Sequence, residues 1–158
     1  MRVSKRGEYA LRSLINLGIA RELGRPMLQI RQLAEKENIP VKFLEAILLE
    51  LNRAGYLGSK RGKGGGYFLQ KPMDKITIGE IVRLIDGPLA PISCASVTAY
   101  HPCSCPDEAH CGLRLLMVDV RNAIANILDR YTLADTVEVM LRKMRRDKVP
   151  LPFLEAKK

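Results

Sequence analysis

From Tyr56 to Gln70 the chain reads YLGSKRGKGGGYFLQ. Residues 56–60 and 66–70 read as two short strands, with Arg61, Gly62, Lys63, Gly64 and Gly65 between them. Glycine reaches positive φ without steric cost, so the chain can turn tightly here and lay its backbone against a partner. Arg61 and Lys63 put positive charge on the tip. The segment is therefore expected to be a β-hairpin whose tip suits a phosphate backbone or a minor groove. A nucleotide cradle fits poorly. The spacing lacks the frame of a phosphate loop, and no Lys-Ser/Thr pair opens a following helix.

The residues before the hairpin give it a context. In residues 8–21, Leu11, Leu14, Ile15, Gly18 and Ile19 recur at helical spacing, and Arg12, Ser13 and Asn16 fall off that stripe. Gly24, Arg25 and Pro26 break the helix. A short helix is expected near 29–37, with Ile30, Leu33 and Ala34 facing inward. A turn at Asn38-Ile39 leads to Pro40, which suits the first position of a helix because its missing N–H would have had no partner there. The next helix is expected from Pro40 to Ala54, burying Phe43, Leu44, Ile47, Leu48 and Leu51, with Gly55 closing it. Two helices, a tight turn and a hairpin make a winged helix-turn-helix. The first turn of the second helix then exposes Lys42 and Glu45. Lys42 can donate to guanine or a phosphate, and Glu45 can accept from cytosine N4.

Charge points the same way. The net charge is +9, and it is unevenly spread. Residues 1–75 hold 15 Lys/Arg against 7 Asp/Glu, whereas residues 76–158 hold 11 against 10. A basic half favours a polyanionic partner. There is no apolar run of about 18 residues, so no membrane span is expected. MRVSKRGEYA lacks the apolar core and cleavage site of a signal peptide, so the chain is expected to stay in the cytosol.

The second half carries a capping box at Thr77–Glu80 and a helix ending at Asp86-Gly87-Pro88. Further on, Leu113, Leu116, Met117, Val120, Ala123, Ile124, Ile127, Leu128 and Tyr131 form one apolar stripe about five turns long. A small winged helix cannot cover such a stripe unaided, so this helix is expected to pair with its counterpart in a two-fold dimer. Thr132–Asp135 caps a last helix. Its basic end, 142–148, complements the helix dipole, and the prolines and lysines beyond read as a frayed end.

All four cysteines lie between Cys94 and Cys111, in CASVTAYHPCSCPDEAHC, together with both histidines. In a reducing cytosol such a cluster binds metal or does redox work more often than it forms structural disulfides. The spacing C-x8-C-x-C-x5-C lacks the close pairs of structural zinc sites. Soft thiolates on an irregular loop suit an iron–sulfur cluster, which takes four ligands, mostly cysteine. No C-x-x-C, H-E-x-x-H or nucleophile–histidine arrangement supports an enzyme.

LNRAGYLGSKRGKGGGYFLQKP resembles the wing of a family of bacterial winged-helix transcription regulators that includes IscR, NsrR, RirA and CymR. E-Y-A-L near the start, F-L-E-A-I-L-L-E-L and T-I-G-E-I are also similar, so the resemblance covers nearly the whole chain. Lys63 stands where proline is usual. The resemblance implies that Pro40, Lys42, Glu45 and Arg61 contact double-stranded DNA, with Lys63 adding a backbone contact and Gly64 and Gly65 letting the tip approach. It places the dimerisation helix on the long stripe. It also implies a [2Fe–2S] or [4Fe–4S] cluster on Cys94, Cys105 and Cys111. IscR has a histidine three residues after the last cysteine, where this chain has Arg114. The fourth ligand thus stays open among Cys103, Glu8, His101 and His110; some members use an acidic residue of the partner subunit at the position Glu8 holds.

The expected protein is mainly α with a small β-hairpin wing. Residues 1–75 form the winged helix-turn-helix, 76–92 a connecting helix and hinge, 93–111 the cluster loop, 112–148 the dimerisation and C-terminal helices, and 149–158 a flexible tail. Its expected function is a cytoplasmic homodimeric regulator whose operator affinity follows an iron–sulfur cluster, with no small-molecule substrate. The alternative is the same fold without a cluster, switched by thiol oxidation or a partner protein.

Overall fold

The structure, a computed structural model, describes residues 2–154. Its helices are α1 (Lys5–Glu22), α2 (Ile30–Glu37), α3 (Val41–Arg53), α4 (Ile78–Asp86), α5 (Gly112–Arg130) and α6 (Leu133–Arg146). Three strands, β1 (Met27–Leu28), β2 (Leu57–Lys60) and β3 (Gly66–Leu69), form one antiparallel sheet in the order β1-β3-β2.

Helix α1 is the centre of the body, touching α2, α3, α4, α6 and the sheet. The stripe expected from the sequence is too narrow for that role. Leu17 is fully buried, and so are Ser13 and Asn16, both expected to face away from the core. Asn16 is accommodated because its amide donates to the Arg12 carbonyl at 2.8 Å and to Glu37 Oε1 at 2.7 Å. Leu17→Ala is expected to cost about 2–5 kcal/mol by leaving a cavity. Urea denaturation should show a lower midpoint with an unchanged slope.

The starts of α1, α4 and α6 are tied down by side-chain caps. Ser4 caps α1, its hydroxyl accepting from the Gly7 N–H at 3.0 Å, and the Asp86 carboxylate accepts from the Ser4 N–H at 2.9 Å. The capping box at Thr77–Glu80 is present, and Thr132 and Asp135 form a second. The two capped starts also bond to each other: Ile78 N–H to the Tyr131 carbonyl at 3.0 Å, and Leu133 N–H to the Ile76 carbonyl at 2.8 Å. Pro40 precedes α3 as its cap instead of occupying its first turn. Phe43 does not join the core. It is 42% exposed and meets Tyr9 edge-on, with ring centroids 5.8 Å apart.

Two features alter the expected division of the chain. First, the wing has a third strand. β1 pairs with β3, matching Met27 to Phe68 and Leu28 to Tyr67. A Cβ at Gly66 would run into the Leu28 carbonyl, so glycine is what lets the two backbones close. Second, α6 belongs to the winged body. Leu133, Val137 and Leu141 are buried there, and Val137 lies against Gly18 of α1. The tail expected to fray is held as far as Phe153. Leu151 and Phe153 pack on the core, and Arg25 Nη1 donates to the Phe153 carbonyl at 2.7 Å. Positions 155–158 lie outside the described residues.

Helix α5 is different in kind. It packs on α4 and on the short turn Ser93–Ala95, yet none of its side chains is buried. Leu113, Leu115, Leu116 and Ile127 are each more than half exposed. Arg83 of α4 holds it near its far end, pairing both guanidinium nitrogens with Asp129 at 2.6 and 2.8 Å. No helix of the described residues is long and apolar enough to cross a membrane.

Candidate DNA interface and cysteine site

The reading surface is built from the start of α3 and the wing. Leu44, Ile47, Leu48 and Leu51 are buried and fix the rotation of α3. That rotation leaves Lys42 and Glu45 exposed on its first turns, with the cap residue Pro40 exposed just before them. Arg12 steadies the turn before α3, bonding Glu37 at 2.5 Å, the Glu37 carbonyl at 2.8 Å and Glu8 at 3.1 Å. At the wing tip Gly62 and Gly64 have φ of 96° and 81°, which a side-chain-bearing residue rarely adopts. Arg61, Lys63 and Gly64 are exposed there. Gly65 differs from expectation. It is buried inside the turn, its N–H donates to the Gly62 carbonyl at 2.9 Å, and a Cβ would strike the Lys60 carbonyl. Its backbone closes the turn.

The cysteine segment lies between α4 and α5. Cys94 sits buried on the short turn Ser93–Ala95, while Cys103, Cys105 and Cys111 are half-buried. Cys105 and Cys111 are brought together, their sulfurs 3.6 Å apart. Contact with Cys103, then with Cys111 and burial, pushes the Cys105 thiol up to about 12. Cys111 is the cap of α5. The backbone N–H of Arg114 and the Cys105 thiol stabilise its thiolate and lower its pKa. Burial, then the nearby Cys103, raises Cys94.

Glu108 and two arginines organise the segment, and none of the three was expected to do so from the sequence. Glu108 accepts from the Tyr100 hydroxyl at 2.5 Å, which holds its carboxyl below the usual range. It also accepts from Cys103 at 3.8 Å and pairs with Arg114 at 3.3 Å. Arg114 Nε donates to the Cys94 carbonyl at 3.0 Å, and Arg121 Nη1 to the Ala95 carbonyl at 2.6 Å. The seven-residue interval from Arg114 to Arg121, two turns on one helix face, is the signal that marks them. Of the other candidate ligands, His110 pairs with Asp107 at 2.6 Å, and the His101 N–H bonds the Ser93 carbonyl. Glu8 pairs with Lys5 and Arg12, Lys5 foremost in lowering its pKa, and meets no cysteine of its own chain.

Cys105 and Cys111 have the separation of two thiolates on one metal. Two sulfurs on one tetrahedral metal at ~2.3 Å lie about 3.8 Å apart, close to the Cys105–Cys111 separation. Among the described residues, however, no three His, Cys, Asp or Glu side chains converge as a single ion requires.

A recognition helix, a cationic wing and a long unpaired helix define a winged-helix transcription regulator. Residues 3–139 match the family described as Rrf2, iron-dependent transcriptional regulator, and the chain belongs to that family. The family comprises transcription regulators and not enzymes. The chain is 40% identical to an rrf2-like helix-turn-helix regulator of Rhodobacter capsulatus over 84% of its own length and 90% of the relative's. It is 34% identical to NsrR of Geobacillus kaustophilus, over 87% and 90% of the two chains. The solved structure of CymR, the global cysteine regulator of B. subtilis, superposes with a TM-score of 0.73 at 29% identity, covering 88% of this chain and 98% of that one. That of T. potens IscR gives 0.67 at 23% identity, a likeness of fold.

Proposed function

We propose that this protein is a cytoplasmic, homodimeric, operator-binding regulator whose DNA affinity is set by an iron–sulfur cluster on the cysteine segment. The observation that carries this reading is the placement of four thiols on one segment whose carbonyls are gripped by Arg114 and Arg121 of α5. Cys94, Cys105 and Cys111 hold the cluster, [2Fe–2S] or [4Fe–4S], with Cys103 the nearest fourth donor. When bound, the cluster supplies a redox- and nitric-oxide-sensitive centre. The chain's own residues do the rest. The loop's position reaches α5 through the two arginines, and α5, paired with its copy, sets the spacing of the two recognition helices. Pro40, Lys42 and Glu45 enter the major groove, and Arg61, Lys63 and Gly64 follow the phosphate backbone.

An anaerobic visible spectrum with iron and sulfide assay tests the cofactor. Absorption between about 320 and 460 nm with acid-labile sulfide, lost in Cys105→Ala, is the expected result. A protein that stays colourless after reconstitution with iron and sulfide shifts the reading to a thiol switch. The 3.6 Å contact between Cys105 and Cys111 and the likeness to the CymR of Staphylococcus aureus, solved in an oxidized form, favour that second reading.

A further inference from the structure

The Cys105–Cys111 pair has the geometry of a redox dithiol whether or not a metal is ever bound. All three of Cys103, Cys105 and Cys111 are half-exposed and Cys94 is buried; Cys103 also touches Cys105, but its thiol donates to the Glu108 carboxylate. The Cys105 and Cys111 sulfurs are 3.6 Å apart and must close to about 2 Å to bond. The intervening residues, 106–110, form no helix or strand; their backbone hydrogen bonds are local, His110 N–H to Asp107 and Cys111 N–H to the Glu108 carbonyl, while the Glu108 side chain ties them to Tyr100, Cys103 and Arg114. Rotation of the two side chains brings the sulfurs together, and Cys111, as the cap of α5, carries any change in the loop to the start of that helix.

We propose that Cys105 and Cys111 form an intramolecular disulfide when the metal-free protein meets a hydroperoxide. One thiol of the pair attacks the peroxide. The O–O bond breaks, an S–O bond forms, and the alcohol leaves with the thiol's proton, giving a sulfenic acid. The second sulfur attacks the first, the S–S bond forms, and the hydroxyl departs as water with the second thiol's proton. Two thiols are oxidised and one hydroperoxide is reduced. The disulfide pins the loop to the cap of α5 and consumes two proposed cluster ligands, so oxidised protein refuses a cluster until it is reduced. This last consequence rests on the cluster reading; formation of the disulfide does not.

The test uses the full chain, reduced, stripped of metal with a chelator and treated with one equivalent of tert-butyl hydroperoxide. Remaining thiols are then alkylated and mapped by mass spectrometry. The expected result is that Cys105 and Cys111 escape alkylation while Cys94 and Cys103 are modified. Cys103→Ser should behave likewise. Cys105→Ser, checked for native circular dichroism, should lose the bond and leave a dimedone-reactive sulfenic acid on Cys111. Four alkylated cysteines after oxidation, or a bond that includes Cys94 or Cys103, would overturn the proposal. Reconstitution with iron and sulfide before and after oxidation keeps the two ideas separate. A protein that takes no cluster in either state but forms the bond sinks only the cluster reading.

Discussion

Replacing Leu116 and Ile127 together by aspartate is expected to yield a monomer in sedimentation velocity and to weaken operator binding by about two to four decades. The loss arises because a dimer makes the second half-site contact intramolecular, an avidity gain of roughly 10²–10⁴ that disappears when the copies separate. Both residues lie on the apolar side of α5 and are more than half exposed in the protomer. A carboxylate costs nothing there in an isolated chain, but it would be stripped of water in a paired interface. No α5 side chain is buried in the protomer, so the winged body should retain its circular dichroism and its thermal transition. A variant that remains a dimer would refute the assignment of this face.

The second large effect concerns the wing. Arg61→Ala with Lys63→Ala removes two exposed charges from the tip. Each phosphate contact contributes about 0.9 to the slope of log affinity against log salt, and the dimer loses two at each of its two wings, so the slope should flatten by about 3.6, and affinity should fall about 1,000-fold near 0.15 M salt. The fall should be nearly the same for operator and random DNA. Lys42→Ala is expected to act differently, losing about 1–3 kcal/mol on the operator with less effect on unrelated sequence. Gel-shift titrations at several salt concentrations distinguish the two. An unchanged salt slope in the double variant would remove the wing from the interface.

What could be read from the sequence follows from the range of the forces involved. The wing, α3 and the capping boxes are specified by neighbours within a few residues: glycines at positive φ, a 3.6-residue apolar period, and Thr with an acid three positions on. The strand β1 is only two residues long and exists because Gly66 lets β3 approach it, which no local pattern announces. Ser13 and Asn16 look like surface residues, but α1 is surrounded, and Glu37 supplies the partner that lets Asn16 be buried. Phe43 fits the apolar period of α3, but it finds Tyr9 at the surface instead of the core. At the cysteine site the thiols stand out by composition. Their steering by Glu108, Arg114 and Arg121 does not, because those contacts join the loop to a helix that begins after it.

The bonded starts of α4 and α6 have a further consequence. The segment carrying the thiols and α5 leaves the body after Asp86 and rejoins it at Thr132. Its two feet thus stand at opposite ends of α4, a helix of nine residues, about 14 Å long. In architectural terms the thiol-bearing arm is a plug-in cartridge set into the winged body. Substitutions within it can retune the input without rewriting that body's core, and the body can acquire a new operator without disturbing the arm.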